Sequence, residues 1–474
     1  MELNKYQKEA VKRALKEDLF LIHGPFGTGK TTVLVDIILK LIKKGKRILV
    51  TADSNNAVDN LLEKLINYTD QVVRIGNLSK VSEKASLFYL DNLIKTESIY
   101  EKIKEVKERM EKVLKKRDKY LKPKPSLKRG LSEKDILRLA FLGKGARGID
   151  EKTIRSMANW IKYNKEYEEL KEEYNLYLNH AIKKIINNSK VILTTNSSSA
   201  LEIIEDLSFD YLIHDEASQS TEPSSIIPLV KCRKAIFAGD HKQLPPTVIC
   251  EDNEELKLSL FERLMMLEKP NYQLRIQYRM NELLMEFPNK TFYNNTLIAD
   301  DSVKNIVLSD LNPKIKELND NVVNDIPLIF IDTLGEEHEK ISFSKSKFNL
   351  LEIDIVEKIV KKLKKFVDKN QISVISPYKE QVIKLKEKVD VEVSTIDGFQ
   401  GRENEIIVFS LVRSNKNEEI GFLKDYRRLN VAITRAKRKL IIIGDSNTLI
   451  SDKIYKKFID FVKKKGLYLT YKEI

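Results

Sequence analysis

One short stretch constrains the fold more than any other. GPFGTGKTT, Gly24 to Thr32, fits the pattern GxxxxGK[ST]. It follows an apolar run at 19–22 and precedes a helical pattern that starts near Thr31. Strand, glycine-rich turn and helix in that order make a cradle for phosphate. Gly24, Gly27 and Gly29 let backbone amides turn inward, Pro25 and Thr28 belong to the same nucleotide-binding run, and the helix N-terminus adds the positive end of its dipole. Lys30 is placed to reach the β- and γ-phosphates, Thr31 to ligate magnesium through its hydroxyl, and Thr32 to close the nucleotide-binding run. Such a cradle belongs at the edge of a parallel sheet. Apolar runs at 19–22, 47–51, 191–194, 211–213 and 235–238 supply one sheet, and runs at 327–331, 372–375, 405–409 and 440–443 a second. Helical patterns separate them, which predicts an α/β fold of two tandem units, 1–268 and 269–474.

Composition removes whole classes. No run of 18 apolar residues occurs, which excludes an integral helical membrane protein. The first residues are charged and amphipathic rather than a secretion signal, so a cytoplasmic location is expected, or a nuclear one in a eukaryote. Two cysteines, Cys232 and Cys250, exclude a disulfide scaffold and four-cysteine zinc or iron–sulfur sites. A net charge of +14 points to a polyanionic partner, nucleic acid, against the plainer reading of a lysine-rich solvated surface.

The first unit is interrupted between 80 and 189. Ile99, Ile103, Val106, Met110, Val113 and Leu121 recur at helical spacing, as do Trp160, Tyr167, Leu170, Tyr174, Tyr177, Ala181 and Ile185. Two long helices facing along these stripes predict an antiparallel arm, with turns and one short helix between them. Trp160 is expected to pack along its stripe rather than to offer a platform for a base. The arm carries 27 Lys and Arg against 17 Asp and Glu, so about +10 of the charge sits there. Its tip, 122–147, holds eight basic and two acidic residues. Nucleic-acid contact is one reading and simple solubility the other.

A phosphate loop needs a metal-binding acid at another strand end. YLIHDEASQ places Asp215 and Glu216 just past an apolar run, at the carboxyl edge where ligands bind. Asp215 is expected to hold magnesium, and Glu216 to accept the proton of the attacking water. AIFAGDHKQLPPTV then places Gln243 to sense the γ-phosphate.

QYRM, VSTIDGFQGRENEIIVFSLVRS and RRLNVAITRAKRKLIIIGD follow. With the phosphate loop and DEASQ, this series resembles the superfamily 1 helicases of the up-frameshift-like group, which includes senataxin and the immunoglobulin mu-binding helicase. The motifs stand in the family's order from Gln7 to Arg435 and cover both α/β units, but little of the arm. The resemblance implies two tandem RecA-like domains with a long helical insertion in the first, and ATP and Mg2+ as cofactors. It also implies a single-stranded DNA or RNA track travelled 5′→3′ by domain closure, and monomeric action, with protein partners that could supply specificity or a clamp. Gln7 matches the adenine-reading glutamine, with Asn4 assisting. Tyr278 matches the aromatic beside the base, and Glu403 a residue near the ribose. Arg279 and Arg435 match the two arginine fingers. Nucleic-acid contacts fall on Ser54 and Asn55, on Thr194, Thr195 and Asn196, on Pro377, Tyr378 and Gln381, and on Thr395, whose small polar groups suit phosphate contacts.

The chain departs from the family in three ways. Relatives carry a β-barrel upstream of the adenine-reading glutamine, and this chain begins almost at that glutamine, so a bare motor is expected, with the basic arm partly replacing the barrel as a clamp. GPFG stands where relatives have GPPG, and Phe26 is expected to be tolerated because backbone amides grip the phosphate. TADS replaces TAPS, and Asp53 is expected to weaken phosphate contact. Against the helicase stand an ATPase that remodels protein–nucleic acid complexes without unwinding, a nucleotide-dependent binding scaffold, and, remotely, a P-loop kinase.

Overall fold

A computed structural model describes residues 2–77, 81–248 and 254–474. Lys80, the first residue of the expected insertion, and Cys250 lie outside the described residues. The chain divides into two compact units. One comprises residues 1–65 and 194–474, the other 66–193.

The larger unit holds two parallel sheets. In chain order, the strands of the first are β1 (Leu19–His23), β2 (Ile48–Ala52), β3 (Phe209–His214), β4 (Cys232–Gly239) and β5 (Asn271–Gln273). They stand side by side as β2-β3-β4-β1-β5. The second sheet contains β6 (Leu328–Asp332), β7 (Ile372–Ser376), β8 (Glu392–Thr395), β9 (Asn404–Ser410), β10 (Ala436–Gly444) and β11 (Leu467–Thr470), ordered β8-β7-β9-β10-β6-β11. Every strand pair named here is parallel. The strand sequences explain this. LFLIH, LIFID and KLIIIG are nearly continuous apolar runs, as sheets covered by helices on both faces require. In the second sheet Phe330, Phe409 and Ile442 join one buried cluster, while Ile329, Val408 and Ile441 join another, so alternate residues pack opposite faces. Each apolar run named in the sequence becomes a strand, and β5, β8 and β11 are added at sheet edges.

The smaller unit is helical apart from the parallel pair Val72–Arg74 and Val191–Thr195. Helices Tyr100–Arg117 and Glu151–Asn188 run antiparallel: Arg117 Nη1 donates to Asn164 Oδ1, and Lys184 Nζ to Glu97. The longer helix, 38 residues, spans about 57 Å. The two stripes meet as expected, with Val106, Met110 and Val113 against Tyr167, Leu170, Tyr174 and Tyr177. Leu121 departs from the expectation and is exposed, because the helix has ended at Arg117. The tip has its own core: Ile136 of the short helix Glu133–Phe141 packs with Leu131, Ile149, Ile154 and Met157. No helix among the described residues is long and apolar enough to cross a membrane.

Candidate active site

After β1 the chain turns through Gly24–Gly29 into the helix Lys30–Lys43. The Gly24 N–H donates to Gly239 O at 3.0 Å, and Thr28 Oγ1 donates to Pro25 O at 2.7 Å, which locks the turn. Gly27 and Gly29 have φ of +65° and +78°, left-handed values that favour glycine. Space matters as much as conformation. A Cβ on Gly27 would lie 2.6 Å from Arg279 Cβ, and one on Gly29 would lie 2.5 Å from Gln7 Nε2. These glycines therefore admit Arg279 and Gln7.

Lys30 Nζ lies 3.0 Å from Glu216 Oε1. Burial works to lower the Lys30 pKa, but the charges of Glu216 and Asp215 outweigh it and hold the ammonium charged. Asp215 directly follows β3 and is 4% exposed. Burial and the neighbouring Glu216 push its pKa up to about 6 against the pull of Lys30. Its Oδ1 accepts the Glu216 N–H at 2.9 Å, and its Oδ2 has no protein donor among the described residues. A carboxylate oxygen with the Thr31 hydroxyl, half-buried at the start of its helix, is a donor set that fits Mg2+. Glu216 itself has φ +48°. A left-handed glutamate costs about 1–2 kcal/mol, and such strain gathers at functional sites. Gln219 Nε2 donates to its Oε2 at 2.8 Å and helps to hold it there.

At the base end, Asn4 caps the first helix, Lys5–Ala14. Its Oδ1 accepts the Tyr6 and Gln7 N–H groups, and its Nδ2 donates to Tyr278 Oη at 2.9 Å. Gln7 is buried. Its Nε2 donates to Thr28 O at 3.0 Å and its Oε1 accepts the Asn4 N–H at 3.1 Å. A carboxamide has two donor hydrogens and two lone pairs, so one of each remains beyond these two contacts.

Two arginines come from beyond the first sheet: Arg279 from the turn before the helix Glu282–Phe292, and Arg435 from the position directly before β10. Arg279 Nε donates to Glu403 Oε2 at 2.5 Å and its Nη1 to Thr434 O at 2.9 Å. Burial would raise the Glu403 pKa, but Arg279 and Lys437 overcome it and keep the carboxylate ionised. Arg435 Nη2 donates to Gln243 Oε1 at 3.2 Å, and its Nε donates to Val431 O at 2.8 Å. Burial and the adjacent Arg279 lower its pKa to about 9, still charged at neutral pH. Lys30 with Glu216, Arg279 with Glu403, and Gln243 with Arg435 are thus in direct contact.

A further buried polar group stands behind Gln243. Asp240 is 1% exposed; its Oδ2 accepts from Gln243 Nε2 at 2.7 Å and from Tyr293 Oη at 2.8 Å. His23 Nε2 lies 3.1 Å from its Oδ1. Burial would raise the Asp240 pKa, but His23, Tyr293 and the charge of Lys30 hold it down to about 2. The Tyr293 hydroxyl in turn accepts from Asn430 Nδ2 at 2.8 Å, and the same amide donates to Lys242 O at 2.8 Å. Asp240 and Asn430 lie within the motif stretches GDHKQ and RRLNVAITRA, whereas Tyr293 carries no local signal. Phe26 is 3% exposed and meets Tyr293 edge-on at 5.5 Å, so it packs against this group rather than being merely tolerated.

The expected strand contacts divide. Ser54 and Asn55 are exposed, and Thr395 is half-buried with its hydroxyl accepting from the Gly398 N–H. Thr194, Pro377 and Gln381 are buried instead. Gln381 donates to Ser410 Oγ at 2.9 Å and accepts the Asn349 N–H at 2.9 Å. It belongs to an internal network around Glu352, whose pKa burial pushes up to about 8. Thr195 is 7% exposed and donates to Ser198 Oγ, and Asn196 is buried with its amide on Ser220 Oγ. Tyr378 is half-buried. Asp53 accepts from Ser224 Oγ at 2.8 Å.

Two family profiles, each described as an AAA domain, match residues 2–251 and 256–447. An ATP-dependent helicase of Methanocaldococcus jannaschii is 48% identical over 474 residues, covering 97% of this chain and 70% of that protein. The chain belongs to the up-frameshift-like group of superfamily 1 helicases. Membership makes it an ATP-dependent enzyme of the helicase class. DNA polymerase alpha-associated DNA helicase A of Schizosaccharomyces pombe is 36% identical over 485 residues, with 99% of this chain and 67% of that protein covered. DNA-binding protein SMUBP-2 of Rattus norvegicus is 33% identical over 487 residues, and there 98% of this chain spans 45% of that protein. The helicase group thus accounts for the order of the motifs along both sheets.

Proposed function

We propose that this helicase-family ATPase moves 5′→3′ along single-stranded nucleic acid, as a cytoplasmic monomer, by closing and opening two RecA-like domains at 1–268 and 269–474, with 80–189 as an inserted basic arm. The observation that carries the reading is the 3.2 Å contact of Gln243 with Arg435. The group expected to sense the γ-phosphate, four residues past β4, touches the arginine that directly precedes β10. Whatever the phosphate does to Gln243 therefore passes to the other domain.

The chemistry follows from the residues. The phosphate-loop amides and Lys30 bind the β- and γ-phosphates. Thr31 and Asp215 would hold Mg2+, which when bound neutralises phosphate charge. Lys30 is paired with Glu216 at 3.0 Å, so phosphate competing for Lys30 frees Glu216. Glu216 then takes the proton as water attacks the γ-phosphorus and the bond to the bridging oxygen breaks. Arg279 and Arg435 neutralise charge that spreads in the transition state, and Gln243 orients the water. Gln7, Asn4 and Tyr278 hold the base and Glu403 the ribose side. Ser54, Asn55, Thr195 and Thr395 supply phosphate contacts for the track.

Steady-state ATP hydrolysis with matched lengths of single-stranded DNA and RNA tests this, beside strand displacement on duplexes with a 5′ or a 3′ overhang. Stimulation by one or both polymers and displacement from the 5′ overhang alone are expected. Hydrolysis indifferent to both polymers overturns the reading. Stimulation without unwinding leaves the remodelling ATPase in its place.

A further inference from the structure

The arm carries a second aromatic and cationic assembly that the ATP chemistry does not use. Trp160 lies one turn beyond Ser156 on the long helix Glu151–Asn188, half-buried at the edge of the tip core. The Arg117 guanidinium lies 5.5 Å from its ring centre and 5.3 Å from that of Tyr167. Lys122 Nζ lies 5.6 Å from the same indole. Tyr120 stacks on Tyr163 at 5.7 Å with an interplanar angle of 11°. The Leu121 N–H donates to Ser156 Oγ at 2.9 Å, which pins the turn bearing Tyr120 and Lys122 beside the indole. Arg117, Tyr120, Lys122, Trp160 and Asn164, with the carboxylates of Asp118 and Glu168, line an open concavity of about 550 Å³, within the range of small-ligand sites.

The two cations are held differently. Arg117 is tied down: Nη1 donates to Asn164 Oδ1 at 3.1 Å, and Nε and Nη2 both reach Asp118 Oδ1 at 3.0 Å. It is structural, and it offsets the charge of Asp118. Lys122 is exposed and has no carboxylate partner among the described residues. Its ammonium can leave the ring for a phosphate and uncover a π-face. Asn164 Nδ2 and the indole N–H also have no acceptor among the described residues. An aromatic face, a swinging cation and two unused donors match what a nucleotide in a single strand presents: a flat base, a phosphodiester and carbonyl oxygens.

We infer that Trp160, Tyr120 and Lys122 form a nucleotide-stacking subsite on the arm, which takes one base of a single strand on the indole and its phosphate on Lys122. The inference rests on the proposed nucleic-acid track and assigns the arm a specific place on it. It replaces the expectation that Trp160 serves packing alone.

Trp160 is the one tryptophan in the chain, so indole emission of the full-length protein reports this site and no other. The experiment titrates short single-stranded DNA and RNA while following indole emission and the anisotropy of a dye on the strand. Lys122→Glu and Trp160→Phe proteins run alongside, the first at an exposed position that leaves the core untouched. The expected result is indole quenching with the same midpoint as strand binding. Lys122→Glu should bind more weakly and show a shallower salt dependence. Trp160→Phe should keep most of the affinity, and Trp160→Ala should lose between about five-fold and a hundred-fold. Strand binding with unchanged emission and unchanged Lys122→Glu affinity overturns the subsite and leaves the helicase reading standing. No strand binding at all overturns both. Quenching by an acidic amphipathic peptide but not by a strand overturns the subsite in favour of a protein dock.

Discussion

The nucleotide cleft and the arm are both rich in charge, yet they use it in opposite ways. In the cleft, charged and amide groups are buried and satisfy one another: Asp240 is 1% exposed and accepts from Gln243 and Tyr293, while Arg435 is 2% exposed and reaches Gln243. On the arm, ion pairs such as Arg155 with Glu151 and Lys165 with Glu169 are exposed helical neighbours. Buried groups have no water to fall back on, so losing one partner costs the full desolvation of the other. Exposed pairs are worth little each and are screened by salt. The cleft should therefore respond to single atoms, and the arm to summed charge and to its few aromatic faces.

Three variants bear on that contrast, from the largest expected effect downward. Glu216→Gln keeps shape but removes the proton acceptor, so kcat should fall by about 10²–10⁴. Nucleotide affinity should hold or tighten, because Lys30 loses a competing carboxylate; fluorescent-nucleotide titration beside steady-state hydrolysis checks both. Unchanged kcat would remove Glu216 from the chemistry. Tyr293→Phe deletes one hydroxyl that gives a hydrogen to Asp240 and takes one from Asn430. Loss of one buried partner is worth about 1–3 kcal/mol, so kcat should fall roughly tenfold or more, with KM for ATP less affected. A protein that loses affinity but not turnover would show that this group serves binding rather than the Gln243 contact. Reversal of Lys124, Lys128 and Lys144 at the tip should weaken single-strand binding several-fold at low salt. It should flatten the salt slope by about 0.7 for each phosphate that is no longer neutralised. Hydrolysis without nucleic acid should stay the same. If the slope does not change, the tip charge serves solubility alone.

Much of this was legible in the chain. The phosphate loop is local: its glycines, lysine and threonine are adjacent, and the strand and helix that frame it are continuous with it. Asp215 and Glu216 were legible because an acid just past a buried strand must stand at the sheet's carboxyl edge. The arm's stripes were legible because helical spacing decides which residues face a neighbour. Gln381 was misplaced for a different reason. An amide beside a motif looks the same in sequence whether it meets solvent or, as here, a buried serine and a backbone N–H.

The residues by themselves determined two parallel sheets, a phosphate cradle, an acid pair and a helical arm. All of these follow from neighbours within a few turns of chain. Tertiary structure decided the rest: that Arg435 meets Gln243 across 192 positions, that Tyr293 reaches Asp240 across 53, and that Lys122 and Arg117 gather at one indole. Periodicity reports which face of an element is apolar. It carries no information about which distant polar groups will complete one another's hydrogen bonds once water is excluded, and that completion is what turns the separate motifs into one site.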